Sequence, residues 1–497
     1  MLFNSLEFGT FLPLVFLLYW FVVNKNLKAQ NVLLLLASYF FYGWWDWRFL
    51  LLLILISILN YFWGIMIDKN EIIRKRKIWF ITGVIINIGI LGVFKYYNFF
   101  IDSFIDLVSL IGYNLPKSTL KIILPLGISF YTFLSLSFII DIYRKSLSAN
   151  RNIIEVLLTL SFFPIILAGP IQRPSSLLTQ IGEKRIFNYD QSVDGLRQIL
   201  WGLFMKIALA DNLAPYTDEF FPHFSDYSGS TLLLGAIFYA VQIYTDFSGY
   251  SNIAIGTAKL FGFKLMHNFN YPYFSKNIAE FWKKWHISLT TWFRDYLFLP
   301  ISFAISWKIK KERVIFIKTD FFIYIMASIL TWSLIGLWHG ANYTFIIWGM
   351  IHGLFLIIYQ WQSKPRKRLL KNLGIKNTHS LVVIIDTIVT LTIVLTAWIF
   401  FKADNVSHAL NYLSAIFSRS IFAIPVFSRR SHAMLILFFV ILFFIIEWTG
   451  REKEYALTDL ELKWSKPLRW MFYFVIILGI YFLGNFNETI EFIYFQF

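Results

Sequence analysis

The sequence contains no cysteine. That single absence excludes disulfides, thiolate metal sites, iron–sulfur clusters and a cysteine nucleophile, and it leaves the compartment open. Charge is the second shortage. Asp, Glu, Lys and Arg make up 15% of the 497 residues, against about 25% in soluble globular chains. Apolar residues reach 58% and aromatics 20%, and the mean hydropathy is +0.61. A soluble fold of this length would have to cover its surface with very few charges, and a disordered chain needs the opposite composition. A polytopic membrane protein remains, with the lipid bilayer as its surroundings. Acidic residues are scarcer than basic ones: 29 Asp and Glu stand against 45 Lys and Arg, a formal charge of +16. Nucleic acid is not the implied partner. No nucleic-acid motif accompanies the charge, and cytoplasmic loops of membrane proteins collect Lys and Arg. Also missing are HExxH, GxSxG, a Walker A loop and GxGxxG, so the chemistries those motifs carry are set aside. Histidines and carboxylates show no metal-ligand spacing, and no metal is expected.

What is present is a series of uncharged apolar runs: Phe8–Val23, Asn31–Trp45, Phe49–Ile67, Ile78–Val93, Ile122–Ile140, Ser228–Thr245 and the long Phe321–Ser363. Near-apolar runs follow at Leu381–Phe401, Ala433–Trp448 and Met471–Phe486. The runs do not alternate as barrel strands do. They predict an all-α transmembrane bundle of roughly 12 spans with re-entrant and interfacial helices. The first run has no basic flank before it and no small-residue cleavage site after it, so it reads as an anchor rather than a signal peptide. No internal repeat or low-complexity linker divides the chain, which is read as one integral domain over residues 1–497. Basic clusters at Lys69–Lys77, Arg144–Arg151, Lys308–Arg313 and Lys364–Lys371 are placed in the cytoplasm, which puts the N-terminus outside. The loop Asp211–Asp226 carries acids and no Lys or Arg and is assigned outside. To reconcile it with its neighbours, Val156–Ile171 must dip in and return, broken at Pro164, Gly169 and Pro170.

Ionisable residues inside such runs are costly and rare, so each is a functional candidate. Six stand out: Lys206, Asp246, His339, His352, Asp386 and Glu447. Asp386 and Glu447 lie near the ends of their runs, where snorkelling or capping accounts for them. Lys206 is expected to pair with a carboxylate. Gln242, Asp246 and Tyr250 recur every fourth residue and share one helix face, either as an interhelical hydrogen-bonding stripe or as a polar site. His339 lies between two basic loops that share one side, so it falls at or near the turn of a helical hairpin. It is either a packing group or a base at the end of a cavity. Further back, Asn277 and Glu280 form a capping-box pattern, predicting a helix that ends near Pro300. Its broad aromatic stripe (Phe281, Trp282, Trp285, Leu289, Trp292, Phe293, Tyr296) suits the membrane interface, with His286 beside it.

These pieces, taken in order, resemble the membrane-bound O-acyltransferase family, nearest its bacterial alginate O-acetylation branch. They are Pro125-Leu126-Gly127-Ile128-Ser129-Phe130-Tyr131-Thr132-Phe133, then Phe163-Pro164 with Ala168-Gly169-Pro170-Ile171-Gln172-Arg173, then Asp246-Phe247-Ser248-Gly249-Tyr250. Phe281-Trp282, Trp285-His286-Ile287-Ser288-Leu289, Trp292-Phe293-Arg294-Asp295-Tyr296 and Trp338-His339-Gly340 complete the set, and the ending Phe492–Phe497 is similar too. The likeness is strongest over residues 125–352. It implies a bundle around a central funnel, in the bacterial inner membrane, that moves an acetyl group from cytoplasmic acetyl-CoA toward an extracellular, alginate-like polysaccharide. No bound cofactor is expected. The resemblance makes His339 the family's invariant histidine and His286 its second polar position. It implies that His339 is the base that takes the acceptor's proton, while His286 orients the thioester. Asp246, Gln242, Tyr250, Arg173, Trp285, Ser288 and Trp338 become candidates for lining the tunnel. Relatives on this branch usually hand the acetyl group to a separate extracytoplasmic acetyltransferase, so such a partner is expected. Two other readings stay open: D-alanyl transfer to teichoic acid from a carrier-protein thioester, and a polysaccharide or ion-coupled transporter that uses Asp246 and His339 as ion sites.

Overall fold

The computed structural model describes residues 1–113, 115–116, 120, 122–314, 316–458, 464–484 and 492–495. Among these, helices dominate. The one ribbon pairs β1 (Arg313–Val314) antiparallel with β2 (Ile317–Lys318) beside the basic Lys308–Arg313 loop. Eight helices are long and apolar enough to cross a membrane, and Leu6–Val22, Ile128–Tyr143 and Ile153–Ile166 are shorter apolar helices. The sequence count of roughly 12 therefore falls, among the described residues, to eight full-length helices and three short ones. The chain is a multi-pass membrane protein of helical-bundle class.

Two compact units are formed, one from Met1–Gly202 with Tyr250–Met266, the other from Leu203–Gly249 with His267–Phe497. The first unit contains α1 (Leu6–Leu17), α2 (Leu27–Gly43), α3 (Trp47–Lys69), α4 (Ile73–Leu91), α5 (Tyr97–Ser109), α6 (Ile128–Tyr143), α7 (Ile153–Ser161), α8 (Phe163–Ile166), α9 (Pro174–Gly182) and most of α10 (Tyr189–Leu203). Asn60 of α3 and Asn87 of α4 exchange side-chain amide hydrogen bonds of 3.1 and 3.0 Å inside the bundle. The run expected as a helix from Ile122 becomes helical only at Ile128, because Gly127 sits at φ +72. A Cβ there would overlap the Ile166 carbonyl oxygen. The break expected around Pro164 is present: Phe162 leaves helical geometry and Pro164 starts a new turn. Every residue from Val156 to Gln172 is buried. Irregular backbone is tolerated at membrane depth only when protein surrounds it.

The second unit continues through α11 (Asp211–Phe220) and the first two-thirds of α12 (Gly229–Leu260), then α13 (Ile278–Lys284), α14 (Ile287–Phe293) and α15 (Leu299–Lys308). It ends with α16 (Thr319–His339), α17 (Tyr343–Asn372), α18 (Ser380–Lys402), α19 (Val406–Ile416), α20 (Arg430–Gly450) and α21 (Lys466–Leu483). The long uncharged run forms the expected hairpin, α16 and α17, joined at Gly340-Ala341-Asn342, with the Asn342 side chain accepting the Thr344 N–H. A Cβ at Gly336 would overlap the Phe345 carbonyl, and one at Gly349 the Trp332 carbonyl. The two backbones meet where only hydrogen fits, as in small-residue membrane interfaces. Asp386 of α18 does not snorkel alone. It takes two hydrogen bonds from Arg366 of α17, 2.7 and 2.8 Å. Glu447 departs further from expectation: it is 3% exposed and accepts the Tyr244 hydroxyl at 2.9 Å.

Candidate active site

The helix expected from Asn277 to near Pro300 does not exist as one piece. Its cap is real, with Asn277 Oδ1 accepting the Glu280 N–H at 2.9 Å. The chain nevertheless leaves helical geometry at Trp285-His286 and resumes at Ile287. The cause is an outside strand of backbone: Asn270 donates its N–H to the Lys284 carbonyl and Ile287 donates to the Asn268 carbonyl, at 3.0 and 2.9 Å. His286 is left with φ +42, a left-handed conformation that costs a non-glycine residue about 1–2 kcal/mol. It is not on the protein surface; it is 0% exposed. Asn268 Oδ1 accepts the Ser288 hydroxyl at 2.6 Å and faces His286 Nδ1 at 3.2 Å. With the amide so oriented, the imidazole proton belongs on Nδ1. Nε2 then carries a lone pair, and it has no hydrogen-bond partner among the described residues.

His339 ends α16 and is 3% exposed. The two histidines share two aromatic neighbours. Trp338 lies 6.1 Å from the His286 ring and 4.8 Å from the His339 ring, centroid to centroid. Tyr494 lies 6.3 Å from His286 and 5.5 Å from His339. Phe247 closes against His286 at 4.6 Å and against Tyr494 at 4.3 Å. The Tyr494 hydroxyl is shielded from solvent and has no hydrogen-bond partner among the described residues. Trp285 sits on Trp398 at 5.0 Å and stacks on Phe281. The result is two imidazoles and a phenol within walls of aromatic carbon, where a proton acceptor works without competing water and fixed dipoles act strongly.

A second polar group adjoins it through the chain. Lys206 lies in a π-helical turn, Phe204–Ala210, a widening common at functional positions. Its ammonium is 2.7 Å from Asp246 and 2.8 Å from Asp211. All three side chains are at most 10% exposed, so each charge needs its partner. Asp211 is thus a buried ion-pair member at the start of α11, not a free acid of a loop. The other Asp246 oxygen accepts the backbone N–H of Ile493 at 2.7 Å, which seats Tyr494, the next residue, beside the histidines. Gln242, one turn before Asp246, accepts the Thr217 hydroxyl at 2.7 Å.

Of the residues singled out by sequence, His286, His339, Asp246, Gln242, Trp285, Ser288 and Trp338 all belong to the second unit. Tyr250 and Arg173 belong to the first, where Tyr250 rests 4.7 Å from Phe3 and Arg173 precedes α9. His352 is fully buried between Trp282 and Trp348, at 4.8 and 4.9 Å. Sequence reasoning did not find Asn268, Phe247 or Tyr494. Phe247 stood inside a noted motif, and Tyr494 inside a noted ending.

The sequence profile of MBOAT, the membrane-bound O-acyltransferase family, matches residues 42–371. A Pseudomonas aeruginosa protein named "Probable alginate O-acetylase AlgI" is 37% identical over 409 residues, 82% of this chain and 73% of its own. The peptidoglycan O-acetyltransferase of Helicobacter pylori is 33% identical over 445 residues, covering 84% and 80%. The teichoic acid D-alanyltransferase of Bacillus subtilis is 30% identical over 247 residues, covering 49% and 60%.

Proposed function

This chain belongs to the membrane-bound O-acyltransferase family and is an O-acyltransferase, and on that footing we propose that it acetylates hydroxyls of an extracytoplasmic polysaccharide with acetyl-CoA as donor. The observation that carries the reading is the pairing of His286 and His339 across shared aromatic neighbours, Trp338 and Tyr494. A hydroxyl, whether of the sugar or of the partner acetyltransferase that serves it, is a poor nucleophile, and a base must take its proton as it attacks the acyl carbonyl. In our reading His339 is that base. The hydroxyl oxygen bonds to the thioester carbonyl carbon, the tetrahedral intermediate expels the thiolate, and the imidazolium returns the proton to sulfur. His286, held by Asn268 with its Nε2 open, orients the thioester. Trp285, Trp338 and Phe247 exclude water that would hydrolyse it.

Acetyl is favoured over D-alanyl because the acetyltransferase relatives match over 82–84% of the chain and the D-alanyltransferase over 49%. The names of those acetyltransferases point to alginate and peptidoglycan, and a polysaccharide of that kind is the acceptor. An extracytoplasmic acetyltransferase completes the delivery, and the bacterial inner membrane, with the N-terminus outside, is the setting that the basic loops support.

The test is polymer ester content in cells carrying wild-type protein or His339→Ala at matched membrane levels. A loss of about 10³-fold is expected, within the range for a positioned base. Unchanged esters would make His339 a packing residue and the mechanism wrong.

A further inference from the structure

A cavity of about 290 Å³ lies between the start of α13 and the facing sides of α17 and α18, at the basic end of α17. Phe355, Tyr359, Gln362 and Arg366 contribute from α17 at intervals of three or four residues, and Asp386, Val389 and Ile393 from α18 in the same way. Lys276 and Lys367 also line it. Arg366 is fixed by Asp386 at 2.7 Å, so that pair is neutral. Glu280, the acid nearest Lys276 in sequence, is taken by Lys284 at 2.8 Å. Neither Lys276 nor Lys367 forms an ion pair among the described residues. The cavity therefore presents two ammonium groups outside any such ion pair, of which Lys276 also lies in the field of Glu280, the remaining guanidinium N–H groups of a fixed arginine, and neutral donors on Asn277, Gln362 and Asn377. Ile278, Phe355, Val389 and Ile393 supply its apolar lining. Beside it, Ile385, Ile388 and Val389 of α18 are 52–59% exposed, as residues facing acyl chains are.

A site lined by cations and amide donors, with exposed apolar residues beside it on a membrane helix, matches one ligand chemistry: a phosphate ester joined to a hydrocarbon chain. We propose that this cavity binds the headgroup of an anionic phospholipid, the phosphate held by Lys276, Lys367 and Arg366 and an acyl chain lying along α18. A basic helix end alone attracts anionic lipid without specificity. A second cavity, lined by Lys310, Lys311, Arg313 and Lys318, lies at the Lys308–Arg313 loop, and what singles out the site between α17 and α18 is the arginine fixed within it by Asp386. The inference is independent of the acyl-transfer reading, because its readouts do not involve ester formation.

The experiment uses the full chain in nanodiscs of phosphatidylcholine alone or with about a fifth phosphatidylglycerol. Lipid retention is read by native mass spectrometry and stability by thermal midpoint. Phosphatidylglycerol is expected to be retained and to raise the midpoint. In K276Q/K367Q its affinity is expected to fall roughly tenfold. The control K371Q/K376Q removes the same charge from the same region but outside the cavity, and it is expected to keep wild-type retention. Equal loss in the control, or equal retention of both lipids, overturns the proposal. A parallel arm adds inorganic phosphate or adenosine 3′,5′-bisphosphate to the phosphatidylcholine discs. No stabilisation supports a lipid as the source. Stabilisation that depends on Lys276 and Lys367 keeps the phosphate site but overturns the lipid as its ligand.

Discussion

Two buried polar groups share the second unit and differ in kind. In one, every charge is answered: Lys206 sits between Asp211 and Asp246, and Asp246 also holds the Ile493 N–H. In the other, the groups are neutral and open: the His286 Nε2 lone pair and the Tyr494 hydroxyl lack partners among the described residues. The two meet in consecutive residues, Ile493 and Tyr494. The difference separates support from chemistry. A charge in low dielectric must be paired to be held at all, whereas a lone pair left open in the same medium is available to a substrate. On this view the ionic group is a frame, and Asp246 positions the segment that carries Tyr494.

The largest effect that would sharpen this contrast is on stability. Lys206→Met leaves two carboxylates facing each other in the bundle and is expected to cost about 3–5 kcal/mol, read as lost accumulation and a lower thermal midpoint in detergent. Neutralising the partners as well, with Asp211→Asn and Asp246→Asn, should recover most of that loss. A single Lys206→Met variant as stable as wild type would show that the frame supports nothing. Next in size, Tyr494→Phe keeps every ring contact and removes only the hydroxyl. We expect roughly tenfold lower polymer esterification, about 1.4 kcal/mol in the barrier, at unchanged protein level. If esterification is unaffected, Tyr494 belongs to the frame and not to the chemistry. The smallest effect concerns strain. Because His286 is left-handed, His286→Gly should be more stable than His286→Ala by about 1 kcal/mol, while both lose transfer. A more stable alanine variant would contradict the backbone assigned at that position.

The frame was the more legible of the two. Gln242 and Asp246 announce a shared face by their spacing, Lys206 interrupts an apolar run, and a buried lysine needs a carboxylate. His339 was placed near a turn by the uncharged run between two basic loops, and α16 ends on it. The break at His286 left no mark in the sequence. The aromatic stripe continues through it at helical spacing, the cap at Asn277 is genuine, and no glycine or proline interrupts. What ends α13 is the backbone of Asn268 and Asn270, a pairing between segments that local pattern cannot express. Glu447 misled for a related reason. Its place near the end of an apolar run suggests water, and only the tertiary approach of Tyr244 shows where its oxygens go. Tyr494 had no periodicity to betray it, since its segment is a single short turn, Ile493–Phe495.

The hydrogen bond from Ile493 to Asp246 spans 247 residues of chain. Time is therefore built into the site. Lys206, Asp211 and Asp246 are made within a short stretch of synthesis and can neutralise one another as soon as α12 is in place. The oxygen of Asp246 that receives Ile493 must wait, at about 5–20 residues per second, for roughly 10–50 s. For the later part of that interval, once His339 has been made, the two histidines exist without the phenol beside them. A pocket wall that arrives so much later than the residues it packs against ties the completed site to the completed fold.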